Sequence, residues 1–181
     1  MSHLRLALLL GMTVALAPLA IDAYLPAFPN IAAGLGIPHS QVGLTLSAYV
    51  MTLGLAQLIG GPLSDRYGRK PILFGGLFVF AGGALMVSFA DTLPEMVFWR
   101  VAQALGGAFC AVSVPALVRD QVSGRDAARL FGLIGLIMFI APAAAPGLGS
   151  LMLALGGWQW IFLMLAGYAG CLMLVLHHPV R

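Results

Sequence analysis

Apolar residues in this chain run in long blocks that end at polar and Gly/Pro-rich breaks. A bilayer core about 30 Å thick takes roughly 20 apolar residues per helix. Blocks of that length lie at Leu6 to Leu25, Val42 to Leu63, Pro71 to Ala90, Met96 to Val118, Leu130 to Leu153 and Trp158 to Leu176, which predicts an all-α membrane protein of six spans. Only residues 154–157 separate the last two blocks. No Asp, Glu, Lys or Arg occurs from Leu130 to Val180, so that division rests on length and on the Gly156-Gly157 pair. The first block has a second reading as a signal peptide, because Arg5 precedes a leucine-rich core and Ala15-Leu16-Ala17 resembles a cleavage site. The apolar run continues past the usual signal core and further spans follow, which favours a span.

Composition places the whole chain in the membrane. Hydrophobic residues make up 61% and charged residues 8% of its 181 positions, with a mean hydropathy of +1.00, far from the usage of soluble domains. No stretch is polar enough for a separate water-soluble domain, so residues 1–181 form a single membrane domain. The net charge is +3, yet the bases form neither a long run nor a basic helical face, which argues against a nucleic-acid partner. Cys110 and Cys171 both sit in apolar runs, where a thiol behaves as a small hydrophobe and carries no message about redox compartment. His3, His39, His177 and His178 lie in loops or at ends, at no spacing that makes a metal site.

The charges alternate. Arg5, then Arg66, Arg69 and Lys70, then Arg119, Arg125 and Arg129, then Arg181 occupy every second connection, while residues 26–41, 91–95 and 154–157 carry no Lys or Arg. By the positive-inside rule both termini and the loop at residues 65–70 are cytoplasmic. Trp99, Trp158 and Trp160 then fall at the outer interface, where amphipathic rings collect.

The segment GGPLSDRYGRKP at residues 60–71 has more order than topology requires. Glycines Gly61 and Gly68 allow a tight turn between helices, Asp65 can cap a helix start, and Arg66 or Arg69 can reach a carboxylate such as Asp120 or Asp126. The spacing G-x-L-x-D-R-x-G-R-K, from Gly61 through Leu63, Asp65, Arg66, Gly68, Arg69 and Lys70, resembles the signature loop of the major facilitator superfamily of secondary transporters. Within that superfamily, the first-span segment IDAYLPAFPNIA and the fourth-span WRVAQALGGAF followed by VRD (Arg119, Asp120) resemble the bicyclomycin and chloramphenicol/florfenicol resistance group of proton-coupled drug exporters. The fifth span resembles the exporter motif G-x8-G-x3-G-P-x2-G-G at Gly132, Ala141, Ala145, Pro146, Gly149 and Ser150, with three of its glycines replaced by Ala or Ser.

The resemblance implies half of a major facilitator fold, a six-helix bundle of two inverted three-helix repeats. The chain ends near Arg181, where the link to a second half would begin in such transporters. The expected partner is therefore a separately encoded second six-helix half or, second in preference, another copy of this chain. Membrane lipid, protons and a small-molecule drug complete the expected partners, with no cofactor.

Two ionisable residues lie inside the spans. Asp22 is seventeen residues past Arg5, about 25 Å along a helix, and Arg100 is five past Glu95, about 7 Å in from the opposite end. Both land in the outer third of the membrane, where a carboxylate and a guanidinium at one level can pair and lower each other's desolvation cost. The alternative leaves Asp22 at the interface and Arg100 snorkelling outward. The resemblance adds that the matching positions take part in proton and drug handling. Gln57 and Gln103 are candidates for donors into a central cavity or for helix–helix bonds. Tyr49 and Phe109 are candidates for the wall of the drug path, or are ordinary packing. Met51, Met86 and Met138 read as lipid-facing or core. Gly132, Gly135, Ala141, Ala145 and Gly149 form a close-packing face that Pro142 and Pro146 kink. The expected function is proton-driven export of small amphipathic drugs across a bacterial cytoplasmic membrane, by rocking one bundle against another. The rival is a non-transporting six-span protein that regulates a full-length transporter. No G-x-S-x-G, H-E-x-x-H or paired intramembrane aspartates suggest an enzyme.

Overall fold

The computed structural model describes residues 3–177, and of His3 the backbone only. Arg181 and His178 lie outside the described residues. The described residues are almost entirely helical: α1 (His3–Val14), α2 (Leu16–Asp22), a 3₁₀ turn (Leu25–Ala27), α3 (Phe28–Leu35), α4 (His39–Tyr67), α5 (Arg69–Val87), α6 (Leu93–Gln121), α7 (Gly124–Gly156) and α8 (Gln159–His177). Helices α4 to α8 are each long and apolar enough to cross a membrane, and the bent α1 to α3 segment passes the same test of length and composition when its two halves are taken as one broken span.

That first span is not the single helix expected. Its halves meet at an angle of 41° around Ala15. Pro18 has no N–H, so the Val14 carbonyl four residues earlier loses its helical donor. Thr13 adds to the bend by donating its hydroxyl to the Leu9 carbonyl at 2.7 Å, a local bond that competes with regular helix. Beside the break, the Tyr168 hydroxyl of α8 donates to the Met12 carbonyl at 2.8 Å. The chain then turns through the 3₁₀ segment into α3, with Pro26 and Pro29 in first-turn positions where no N–H is needed. Gly36, at φ 64°, ends α3.

The cytoplasmic connections expected from charge are mostly helix. α4 continues past Leu63 through Arg66, and α6 past Val118 through Asp120. At about 1.5 Å per residue, the 29 residues of each overshoot the hydrocarbon, so their charged last turns reach water. Only Gly68 separates α4 from α5; its φ of 98° is a conformation that a side chain would strain. Gly61 lies inside α4 beside Pro62 and makes no turn. The division between the last two spans falls at Gly157, φ 96°, whose N–H closes on the Leu153 carbonyl at 3.0 Å.

Lipid tails are as apolar as the helices, so close backbone approach has to supply much of the packing energy. Glycines supply it between α5 and α6: a Cβ on Gly83 would lie 2.6 Å from the Gln103 nitrogen, and one on Gly106 would lie 2.8 Å from the Phe80 Cα. The first span packs on α7 in the same way, since a Cβ on Gly149 would land on the Ala23 carbonyl oxygen. The small-residue face of α7 is thus only partly one face. Ala145 and Gly149 are buried, whereas Gly132 and Gly135 look into open space. The helix runs unbroken through Pro142 and Pro146. α6 is the most enclosed of the five long helices, and α4 and α7 the least. Met51, Met86 and Met138 are exposed. Trp158 is a core residue, 5% exposed, with its ring edge-on to Phe162; only Trp160 among the three indoles is largely exposed.

Candidate functional site

Among the described residues Arg100 is one of the largest to be fully buried, and it sits on the most enclosed helix. α6 starts cleanly, with the Thr92 hydroxyl accepting from the Glu95 N–H, which sets Arg100 two turns into the bundle. Three aromatic rings surround it. Its Cζ lies 4.3 Å from the centre of the Tyr24 ring, 4.1 Å from that of Tyr49 and 5.6 Å from that of Phe162. A cation between such faces is held by their negative quadrupoles, and the attraction grows when water is excluded. Nη1 donates to Gln103 Oε1 at 2.8 Å, one helical turn along.

The rings are themselves fixed. Thr45 donates to the Val42 carbonyl at 2.7 Å, which leaves its oxygen to accept from the Tyr24 hydroxyl at 3.2 Å. Tyr24 also meets Phe28 and Phe162 with ring centres 5.1 and 5.7 Å apart. Gly83 lets α5 press against the Gln103 backbone.

Asp22 is not in this box. It ends α2 partly exposed, and among the described residues no ion pair joins it to Arg100. The level of the two residues along their spans was compatible with pairing; the rotation of their helices does not bring them into contact here. Nor does Arg100 snorkel, being wholly buried. Gln103 is buried beside Arg100, while Gln57 is exposed on α4. Phe109 sits at the α4–α6 crossing, 2.9 Å from where a Cβ on Gly60 would be. Tyr24, Phe162 and Gly83 were not singled out from the sequence. Tyr24 stood in the quoted first-span segment, but Phe162 is one aromatic among many apolar residues and carries no local signal.

A second cluster lies at the helix ends. Arg69, the first residue of α5, donates to Asp65 in the last turn of α4 and to Asp120 Oδ2 in the last turn of α6, the latter at 3.3 Å. Asp65 therefore caps no helix start; the residue before α5 is Gly68, which offers no side chain. Arg66 lies over the Tyr67 ring at 5.5 Å. Asp126, in the first turn of α7, takes no part, and Arg119 is exposed. Ser64, Asp65, Gly68, Arg69, Lys70 and Asp120 border an open depression of about 700 Å³. A third feature is an apolar cavity of about 310 Å³ beside the break in the first span, bordered by Ala15, Leu19, Ala141, Leu148, Met164 and Tyr168.

Residues 10–180 match the Major Facilitator Superfamily. The chain belongs to that superfamily. The signature loop is the charged cluster around Arg69, and the protein is a multi-pass membrane protein with half of the major facilitator fold. In solved structures the fold recurs in the proton:xylose symporter XylE bound to 6-bromo-6-deoxy-D-glucose, with a TM-score of 0.83 over 97% of this chain and 44% of that one, at 13% identity. Its superfamily relatives by sequence include a chloramphenicol resistance protein of Pseudomonas aeruginosa, 38% identical over 83% of this chain and 36% of that protein. The MFS-type transporter YdgK of Bacillus subtilis is 38% identical over 96% of this chain and 44% of its own length. The multidrug resistance protein MdtL of Escherichia coli is 35% identical over 84% and 39%. The chain thus spans less than half the length of these superfamily relatives.

Proposed function

We propose that this six-span unit belongs to a proton-driven exporter of small amphipathic drugs and works with a second six-span unit across a midplane site. The observation that carries the reading is a fully buried Arg100 cation, boxed by aromatic rings in an apolar bundle, in a superfamily member resembling drug-resistance proteins. An intramembrane charge is expensive to bury and marks a substrate or proton path by default. Asp22 is the proton carrier: partly exposed on a bent span, it is open to exchange, while Arg100 favours its anionic form whenever the two approach. The apolar cavity at the bend suits the apolar part of a drug. Inward proton movement supplies about 2.3 kcal/mol per 100 mV of membrane potential.

The charged helix ends, including Arg69, Lys70 and Arg119, face the cytoplasm by the positive-inside rule, and both termini lie on that side. The second unit is a separate six-helix half in preference to another copy of this chain, because a homodimer would set two Asp22 and two Arg100 around one pathway. The test is drug efflux by the active assembly under an imposed pH gradient. Asp22→Asn is expected to abolish gradient-driven efflux and to keep downhill drug exchange. Unchanged gradient-driven efflux would remove Asp22 from the mechanism.

A further inference from the structure

Arg100 is over-supplied with donors. Its Nη1 is satisfied by Gln103, but among the described residues its Nε and Nη2 have no acceptor, nor does the Nε2 amide of Gln103, and both side chains are wholly buried. The Gln103 amide cannot be turned to relieve this, because only its oxygen can accept from the guanidinium. Nε–H and Nη2–H point in parallel from one edge of the planar guanidinium, the fork that binds both oxygens of a carboxylate. The Tyr24 and Tyr49 rings, 4.3 and 4.1 Å from Cζ, stabilise the charge without accepting from that edge. A buried cation with an open donor fork is stabilised more by an anion than by further apolar packing.

We infer that the free edge of Arg100 is the seat of a small solute carboxylate, or of the isosteric planar head of a larger solute, with the Gln103 amide as a further donor beside it. A planar two-oxygen group meets both N–H donors in the plane of the guanidinium. A spherical halide has no second oxygen with which to meet the pair. Because the seat is closed in this structure, its ligand enters when the rings part; Tyr24, on the turn after α2, is the ring nearest a break in regular helix. The assignment rests on the export reading only for its purpose, as a determinant that admits solutes bearing a carboxylate or like group. Binding is measured without transport, so failure of the seat and failure of export are seen separately.

The experiment is thermal unfolding of the full purified chain in mild detergent, titrated with sodium formate against sodium chloride at constant ionic strength. Formate is expected to raise the unfolding midpoint saturably, by about 8 °C at a hundredfold excess over Kd, with no saturable shift from chloride. The response should persist in Asp22→Asn and vanish in Arg100→Met, which exchanges a buried ion for an apolar side chain and is expected to fold. A response confined to Asp22→Asn would show that Asp22 itself occupies the fork, and would overturn the solute assignment. No response in either protein, or an equal one in Arg100→Met, would overturn the seat.

Discussion

If the tyrosine faces hold the Arg100 charge in the bundle, removing one should cost more while the charge is there. Tyr49 lies 4.1 Å from Cζ in a site closed to water, where a cation–π contact is worth about 2 kcal/mol. Its hydroxyl is 3.5 Å from the Ala17 carbonyl, at the weak end of hydrogen-bond range. Tyr49→Phe therefore keeps the face and should cost under about 0.5 kcal/mol. Tyr49→Leu removes the face and should cost about 3 kcal/mol, the cation–π contact plus imperfect refilling of the space. In an Arg100→Met background the first part disappears, so a double-mutant cycle isolates a coupling of about 2 kcal/mol, or roughly 5 °C in the unfolding midpoint. The assay is thermal unfolding of the four proteins in one detergent, with Tyr49→Phe as a fifth. A coupling below about 0.5 kcal/mol, the ordinary scatter of additivity, would refute the box as the support of the charge.

Two further outcomes are expected. Gly149→Ala drives a methyl into the Ala23 carbonyl, backbone against backbone, and should destabilise by about 1–3 kcal/mol. Gly132→Ala in the same helix meets open space and should be neutral or stabilising by up to about 1 kcal/mol; equal effects in unfolding experiments would mean that α1–α2 and α7 are not in close contact. Asp65→Ala leaves Arg69 with Asp120 alone and is expected to slow transport turnover in the active assembly with little change in drug affinity, since a helix-end contact acts on conformational populations. A proportional loss of binding and turnover would make the cluster part of the drug site instead.

Much of the architecture was legible because it is written locally. An apolar block of about 20 residues has to cross a bilayer as a helix, and the spacing from Gly61 to Lys70 was specific enough to indicate the superfamily before any contact was known. Even there the sequence misled in detail. Charge suggests loop, yet Asp65, Arg66 and Asp120 are in helical last turns, because a helix continues into water until a residue such as Gly68 ends it. Pro18 was visible, but its consequence, a break supported by Tyr168 from 156 residues away in sequence, was not.

The sequence by itself determined which segments lie in the membrane, which residues carry charge there, and that Arg100 needs company. It did not determine whose company. Inside a span nearly every side chain is apolar, so hydropathy does not separate a lipid-facing residue from a helix-facing one, and the rotation of each helix about its axis is left open. Packing decides that rotation. Gly83 and Gly106 seat α5 on α6, Gly149 seats α7 on the first span, and the resulting turns bring Tyr24, Tyr49 and Phe162 around the guanidinium while Asp22 stays outside. The tertiary structure thus turned an expected ion pair into a boxed cation with a free donor edge, because where backbones meet closely depends on residues far apart in the chain.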